Sequence, residues 1–138
     1  MNKRTIFVTE YDLQRLQTLI NNPGRLEHPQ PENISSLKNE LARARIVAPK
    51  DIPPDVVTMN SIVHLADMET GEEEIYTLVF PSDADVAECR ISVLAPIGTA
   101  MLGYKTGDTF TWPVPGGKRH LMVKEVIYQP EASGDYHL

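Results

Sequence analysis

The segment from Ile91 to Gly103 constrains the fold most, because its preferred structure changes twice over a short length. Residues 91–94 form a β-prone run, and Pro96 cannot donate a hydrogen bond to a strand ladder, so the strand must end before it. The apolar stretch 98–102 predicts one short helix, which Gly103 ends. A Lys-Thr-Gly-Asp turn at 105–108 leads into another β-prone run. The predicted order is strand, turn, short helix, turn, strand.

The first 48 residues predict two short helices. Thr9 and Asp12 form a helix start signal, and leucines follow at helical spacing until a breaker cluster at Pro23 and Gly24. A second helix is predicted from about residue 33 or 35 to about Ile46. Each helix has roughly 13 residues and a length of about 20 Å. Isolated helices of that length are marginally stable, so we expect an antiparallel hairpin that packs on itself or on the rest of the chain.

Residues 49–55 contain three prolines and predict a semi-rigid linker. After this linker the periodicity is that of strands, in runs at residues 56–59, 61–65, 74–80, 89–94, 109–114 and 120–128. Mostly antiparallel strands with one small helix make an α+β domain. The predicted organisation is a helical hairpin over residues 1–48, a linker over 49–55 and a sheet domain over 56–138.

Several motifs in the second half resemble the C-terminal domain of the Gre-type transcription elongation factors. They are Ile-Ser-Val at 91–93, the Pro96 and Gly98 pair, the G-x-x-x-G-D pattern at 103–108 and Pro-Gly-Gly at 115–117, with Ala95 where the family usually has Ser. Asp-Val-Val-Thr-Met-Asn-Ser at 55–61 and the run 128–136 are similar to one subgroup, the Rnk proteins, which are named regulators of nucleoside diphosphate kinase. The resemblance covers about residues 5 to 138.

The resemblance implies an FKBP-like fold for the sheet domain and docking on RNA polymerase. In the Gre family, the loop at this motif contacts the largest-subunit region beside the secondary channel. Carried over by motif, the docking positions are Ala95, Pro96 and Ile97, with Gly98 and Met101 flanking them. Because a strand ends here, we expect the first three to be exposed.

The resemblance also draws attention to acidic residues near the predicted hairpin turn. Gre factors that stimulate transcript cleavage use acids at the tip of a long coiled coil to help hold a second Mg²⁺ in the polymerase active site. Glu27 and Glu32 lie near the turn, and carboxylates are ligands that Mg²⁺ prefers. The hairpin is shorter than the Gre arm and its turn contains prolines, which favours solvated loop acids over metal ligands.

Other residues give only weak support for catalysis. The four histidines are far apart in sequence, and neither a nucleophile elbow nor a phosphate-binding loop is present. The single cysteine, Cys89, excludes an internal disulfide and is expected to be a buried or half-buried apolar residue. The acidic run 72–74 favours a solvated turn over a surface for a basic partner. The sequence therefore predicts no catalytic residue, no cofactor and no metal.

The overall charge limits the partners. A formal net charge of −6 argues against direct DNA binding, because nucleic-acid-binding proteins usually present a basic face. The sequence also predicts no signal peptide and no membrane-spanning segment. One reduced thiol suits the cytoplasm.

These observations predict a non-enzymatic regulator that binds RNA polymerase near the secondary channel, competes with Gre factors and does not stimulate transcript cleavage itself. One alternative is a peptidyl-prolyl isomerase, since Phe110 and Trp112 alternate on one face of a predicted strand of an FKBP-like domain. Another is a short-armed Gre factor that keeps cleavage stimulation through its tip acids.

Overall fold

The computed structural model describes residues 6–21, 31–114, 116–135 and 138, with the side chains of residues 31 and 112–114 left out. Seven strands and three α-helices are found in these ranges. In chain order they are β1 (Phe7–Thr9), α1 (Glu10–Asn21), α2 (Pro31–Ala42), β2 (Arg45–Val47), β3 (Ile62–Asp67), β4 (Glu73–Val79), β5 (Arg90–Ser92), α3 (Pro96–Met101), β6 (Thr109–Val114) and β7 (Gly117–Tyr128).

Five of the strands form one sheet in the order β5-β4-β3-β7-β6. All neighbours are antiparallel except β4 and β5, which are parallel. Burial alternates along β3, so Val63 and Leu65 face the core while His64 faces the other side of the sheet. The predicted α+β class with a mostly antiparallel sheet is confirmed. No helix in the described part of the chain is both long and apolar enough to cross a membrane.

The predicted end of the second helix is wrong. The helix stops at Ala42, and Arg45–Val47 form β2, which pairs in parallel with β1. The Arg45 N–H donates to the Ile6 carbonyl at 2.8 Å, so this backbone is bonded to a distant strand and not to its own helix. Ile46 and Val47 are β-branched and suit a strand better than a last helical turn.

Residues 56–59 do not form the expected strand, although all four are buried. Only Val56 makes a bridge, to Lys105, and a left-handed residue, Asn60, ends the segment. Backbone and side-chain groups together replace the strand ladder here, because Val57 bonds to Tyr104 and Gly103 through its backbone and the Thr58 N–H donates to Ser61 Oγ at 2.9 Å. The backbone polar groups are thus satisfied without a neighbouring strand.

One hydrophobic core includes residues from both sides of the predicted linker. Leu16 of α1 and Leu37 of α2 are fully buried and belong to the same cluster as Met59, Leu78 and Met101. Within the linker, residues Pro49–Asp51 form a 3-10 turn and Ile52 is 7% exposed. The division into hairpin, linker and sheet domain remains a prediction, while the apolar packing is continuous across it.

Gly103 connects the end of α3 to the first strand. Its carbonyl accepts the Phe7 N–H at 3.2 Å, and its own N–H donates to the Val57 carbonyl at 2.9 Å. The residue has φ = +81°, and a Cβ atom there would lie 2.7 Å from Cβ of Ile6. Only glycine permits both the left-handed backbone and this close approach.

A buried carboxylate joins α1 to the segment that lacks a ladder. The start signal at Thr9 is confirmed, because Thr9 Oγ1 accepts the Asp12 N–H at 3.1 Å. The Asp12 side chain is 1% exposed, and its Oδ2 accepts the Met59 N–H at 3.0 Å. Its Oδ1 accepts from the Arg15 guanidinium at 2.5 Å. Asp12 thus satisfies a buried backbone donor that has no strand partner.

Arg15 extends this contact to the end of the chain. Its guanidinium carbon lies 4.0 Å from the centre of the Tyr11 ring and 4.8 Å from that of the Phe80 ring. The same guanidinium donates to the Leu138 backbone oxygen at 2.8 Å. It therefore contacts helix α1, the residue after β4 and the C-terminal segment at once.

The C-terminal segment is also bound through buried polar groups. Thr58 Oγ1 donates to Glu131 Oε1 at 2.7 Å, and the Gln129 amide donates to the carbonyls of Pro53 and Val56, both at 2.8 Å. Gln129 and Glu131 are 3% and 7% exposed. Residues after β7 are therefore part of the folded structure.

We expect folding stability to depend on pH through Asp12. Burial, the largest cause, raises the pKa of Asp12 from 3.8 to about 6, although the hydrogen bonds from Met59 and Arg15 oppose the shift. The folded state then binds the proton more tightly than the unfolded chain, so this stabilisation is complete below pH 3.8 and is lost as the pH rises through about 6. A shift of this size corresponds to about 3 kcal/mol.

Urea unfolding of the wild type and of Asp12→Asn between acidic and neutral pH tests this. The amide keeps an oxygen for Met59 but does not ionise, so the free energy of unfolding of the wild type should fall relative to that of the variant as the pH rises. Asp83→Asn, which removes an exposed carboxylate, should follow the wild type. Parallel pH profiles for wild type and Asp12→Asn would contradict the prediction.

Candidate functional site

The loop between β5 and α3 is held by local hydrogen bonds. Ser92 Oγ accepts the Leu94 N–H at 3.0 Å, and the Ser92 carbonyl accepts the Ala95 N–H at 3.0 Å. Thr99 Oγ1 donates to the Val93 carbonyl at 2.6 Å. The loop is therefore ordered before any partner binds, which reduces the conformational entropy that binding would cost.

Gly98 allows α3 to lie directly on the strand that precedes it. A Cβ atom at this position would be 2.2 Å from the Ser92 carbonyl oxygen and 3.2 Å from a methyl group of Leu78. The backbone of α3 therefore approaches the backbone of β5 more closely than any side chain permits. The sequence motif predicted a flanking docking position here, whereas the structure assigns Gly98 a packing role.

Exposure divides the five predicted docking residues into two groups. Pro96 is exposed and Ala95 is half-buried. Ile97 is 5% exposed, so the expectation that it is exposed is wrong, and Gly98 and Met101 are buried as well. Pro96 is the first residue of α3, and the helical turn that starts there directs the next residue inwards, onto the core. Docking through Ala95 and Pro96 remains a prediction.

The exposure of Val86, close to this loop in sequence, was not identified from the sequence. Residues 82–90 are all exposed, and Val86 has 90% of its surface accessible. The Asp85 carboxylate accepts the Ala87 N–H, and Cys89 ends the turn at φ = +58°. Cys89 is therefore exposed, and the expectation of a buried thiol is wrong. A single apolar residue in a polar loop has no periodicity that could have revealed it.

The predicted tip acids are only partly described. Glu27 lies outside the described residues, whereas Glu32 lies in the first turn of α2 and is exposed. Helices α1 and α2 each have 12 residues, a length of about 18 Å. Within the described ranges, no group of three or more His, Cys, Asp or Glu side chains is arranged to hold a metal ion.

Of the two rings proposed for an isomerase pocket, the structure describes only that of Phe110. Phe110 is 7% exposed, and its ring packs edge-on against Tyr104 with 5.9 Å between the centroids. The side chain of Trp112 lies outside the description. Phe110 therefore belongs to the core and does not present an open face to a prolyl ring.

The acidic run 72–74 forms ion pairs across the sheet. Glu73 begins β4 and pairs with Lys124 and His64, while Arg119 pairs with Glu74 at 2.9 Å and with Asp67 at 3.1 Å. Hydrogen bonds from the backbone N–H groups of the following turn, and then Arg119, lower the pKa of Asp67. The run agrees with the predicted solvated turn only in part, because Glu72 and Glu73 are exposed but Glu73 and Glu74 pair with cations of this chain.

Comparison with known proteins assigns both halves of the chain. Residues 4–47 match the family model described as Rnk N-terminus, and residues 42–128 match the model for the C-terminal domain of the transcription elongation factors GreA and GreB. The chain is 40% identical over 139 residues to the "Regulator of nucleoside diphosphate kinase" of Escherichia coli strain K12, with complete coverage of both proteins.

Two further relatives connect the chain to the Gre proteins. It is 34% identical over 96 residues to the transcription elongation factor GreA of Beijerinckia indica, which covers 70% of this chain and 61% of that protein. A solved structure described as a GreA/GreB elongation factor from Nitrosomonas europaea is 42% identical, with a TM-score of 0.74, and the match covers 91% of this chain and all of that one. The chain therefore belongs to the Rnk family, within the superfamily of Gre-type transcription factors.

Proposed function

We propose that this protein is a regulator that binds RNA polymerase beside its secondary channel, through the loop that contains Ala95 and Pro96. Membership of the Gre-type superfamily supports the choice of partner. The observation that carries the choice of surface is the exposed Pro96 on a loop fixed by a hydrogen bond to Ser92 Oγ and one from Thr99 Oγ1. Ile97, Gly98 and Met101 would act indirectly, by fixing the position of that loop.

The short helices support a role without transcript cleavage. In this proposal the sheet domain, whose FKBP-like character remains a prediction, stays outside the channel. Helices of about 18 Å would then end short of the catalytic Mg²⁺. Glu27 and Glu32 would have no metal to ligate, and the protein would occupy the Gre site without the Gre activity. A polymerase-bound regulator of this kind would work in the cytoplasm.

The name of the Escherichia coli relative suggests a downstream effect. That protein is called a regulator of nucleoside diphosphate kinase. We propose that any effect of this chain on such a kinase is indirect and arises through transcription. The isomerase alternative is not favoured, because Phe110 is buried against Tyr104.

We expect Pro96→Asp to weaken binding to core RNA polymerase at least tenfold, which is about 1.4 kcal/mol. A carboxylate buried in an apolar interface loses its hydration without a partner. The free protein should tolerate the change, because the residue is exposed and an acid in the first turn of a helix is favourable. The measurements are the dissociation constant and the melting temperature of the variant.

Pro54→Asp is the matched control, because it places the same charge at another exposed proline. It should leave polymerase binding unchanged. If Pro96→Asp melts normally and binds normally, the loop does not belong to the interface.

We expect no stimulation of RNA cleavage in backtracked complexes, even at saturating protein. The same protein should inhibit the cleavage that an added Gre factor stimulates, and excess Gre factor should restore it, because the two compete for one site. RNA cleavage in stalled complexes is the measurement. Strong cleavage by the protein alone that is lost in Glu27→Ala or Glu32→Ala would instead identify a short-armed Gre factor.

A further inference from the structure

Strand β2 leaves one edge of the small parallel sheet open. The register pairs Phe7 with Arg45 and Val8 with Ile46, and the Arg45 N–H donates to Ile6. In a parallel ladder of this register, Arg45 and Val47 bond to β1, while the N–H and carbonyl of Ile46 point to the opposite side. The backbone hydrogen bonds among the described residues use neither group. The other edge of β1 is covered, because Phe7 donates to Gly103.

A groove of about 620 Å³ is lined by residues of both strands of this small sheet. Phe7, Arg45 and Val47 line it together with Ile46, which is 37% exposed. Unpaired strand edges bind other strands readily, and proteins usually cover or charge them. Among the described residues no further strand pairs with this edge, and no run of like charges occupies it.

The charges of the groove have opposite signs at its two ends. Arg45 begins β2 and lies 6.0 Å from the centre of the Phe7 ring. Glu10 directly follows β1 and Asp51 lies in the 3-10 turn after β2, so both acidic lining residues come after the strands in the chain, whereas Arg45 begins β2. None of these three side chains takes part in an ion pair within the described part of the chain.

The basic and acidic ends of this strand pair match those of a second copy only when the two β2 strands run in opposite directions. If a second strand of the same sequence runs antiparallel to β2, the basic end of each copy faces the acidic end of the other. A two-fold axis through Ile46 produces this arrangement and places the two Ile46 residues opposite each other. Each Ile46 N–H would then donate to the Ile46 carbonyl of the other copy.

We propose that the β2 edge is an interface between two copies of this chain, paired antiparallel about Ile46. The product is a four-stranded sheet in the order β1-β2-β2-β1. The pairing satisfies the free backbone groups, removes the exposed Ile46 side chains from water and brings each Arg45 towards an acidic end. A strand of three residues makes a small interface, so the dimer is weak and reversible.

Sedimentation velocity of the full chain from about 10 μM to about 1 mM tests the proposal, over a range suited to weak interfaces. We expect the sedimentation coefficient to rise with concentration, and the association to weaken at high salt because the charge pairs are partly exposed. Ile46→Lys should abolish the dimer by placing two like charges on the axis. Ile75→Lys is the matched control, since Ile75 is 50% exposed on the large sheet.

A charge exchange identifies the orientation. Arg45→Glu and Asp51→Arg should each weaken self-association at least tenfold, and a mixture of the two variants should form a heterodimer more readily than either forms a homodimer. A protein that remains monomeric up to the highest concentration would overturn the proposal, as would a dimer that Ile46→Lys leaves intact. A monomer whose Ile46→Lys variant loses polymerase binding would also overturn it and would assign the edge to that partner.

Discussion

The hydrogen bond between the buried Asp12 carboxylate and the Met59 N–H is the interaction on which the arrangement of the chain depends. Helices of 12 residues are marginally stable alone, so α1 and α2 need a surface to pack against. That surface includes Met59, whose segment has no strand ladder and needs an outside acceptor. Helix α1 and the Met59 segment therefore stabilise each other: α1 supplies the acceptor for the Met59 N–H, and the Met59 segment gives α1 a surface to pack against. Removing the carboxylate would leave a buried donor unsatisfied, which costs about 1–3 kcal/mol.

Local patterns predicted the elements with a regular helical or strand periodicity. Leucines at helical spacing gave α1, and alternating runs gave β4, β6 and β7 to within a few residues. The prediction failed at residues 45–47, because the hydrogen-bond partner of Arg45 is Ile6, far away in the sequence. It failed again at 56–59, where side chains and the turn after α3, and not a strand ladder, satisfy the backbone. In both places the structure depends on contacts that are distant in sequence; at 46–47 the β-branched residues were a local sign of a strand, whereas at 56–59 local propensity favoured a strand that did not form.

The candidate docking loop shows the same limit at the scale of single residues. The exposure of Pro96 followed from the sequence, because proline ends a strand and suits the first position of a helix. The burial of Ile97 did not follow, since it depends on how closely α3 approaches β5, and only the contact of Gly98 with the Ser92 carbonyl defines that distance. A motif shared with a family thus singled out a segment for docking but did not separate its exposed residues from the buried residues that support them.

Helix α3 connects the candidate docking loop to Gly103, the residue to which strand β1 is hydrogen-bonded. Pro96 begins the helix, and Gly103, two residues after its end, bonds to Phe7 of β1. A helix of six residues spans only about 9 Å, and its close packing on β5 leaves little freedom to bend. Strand β1 continues directly into α1, which Asp12 fixes to Met59. A partner that binds at Pro96 would therefore determine the direction in which the helical pair points. In such a complex, the distance to which α1 and α2 extend from the bound loop would depend on the packing around Gly98 and Gly103 as well as on the length of the two helices.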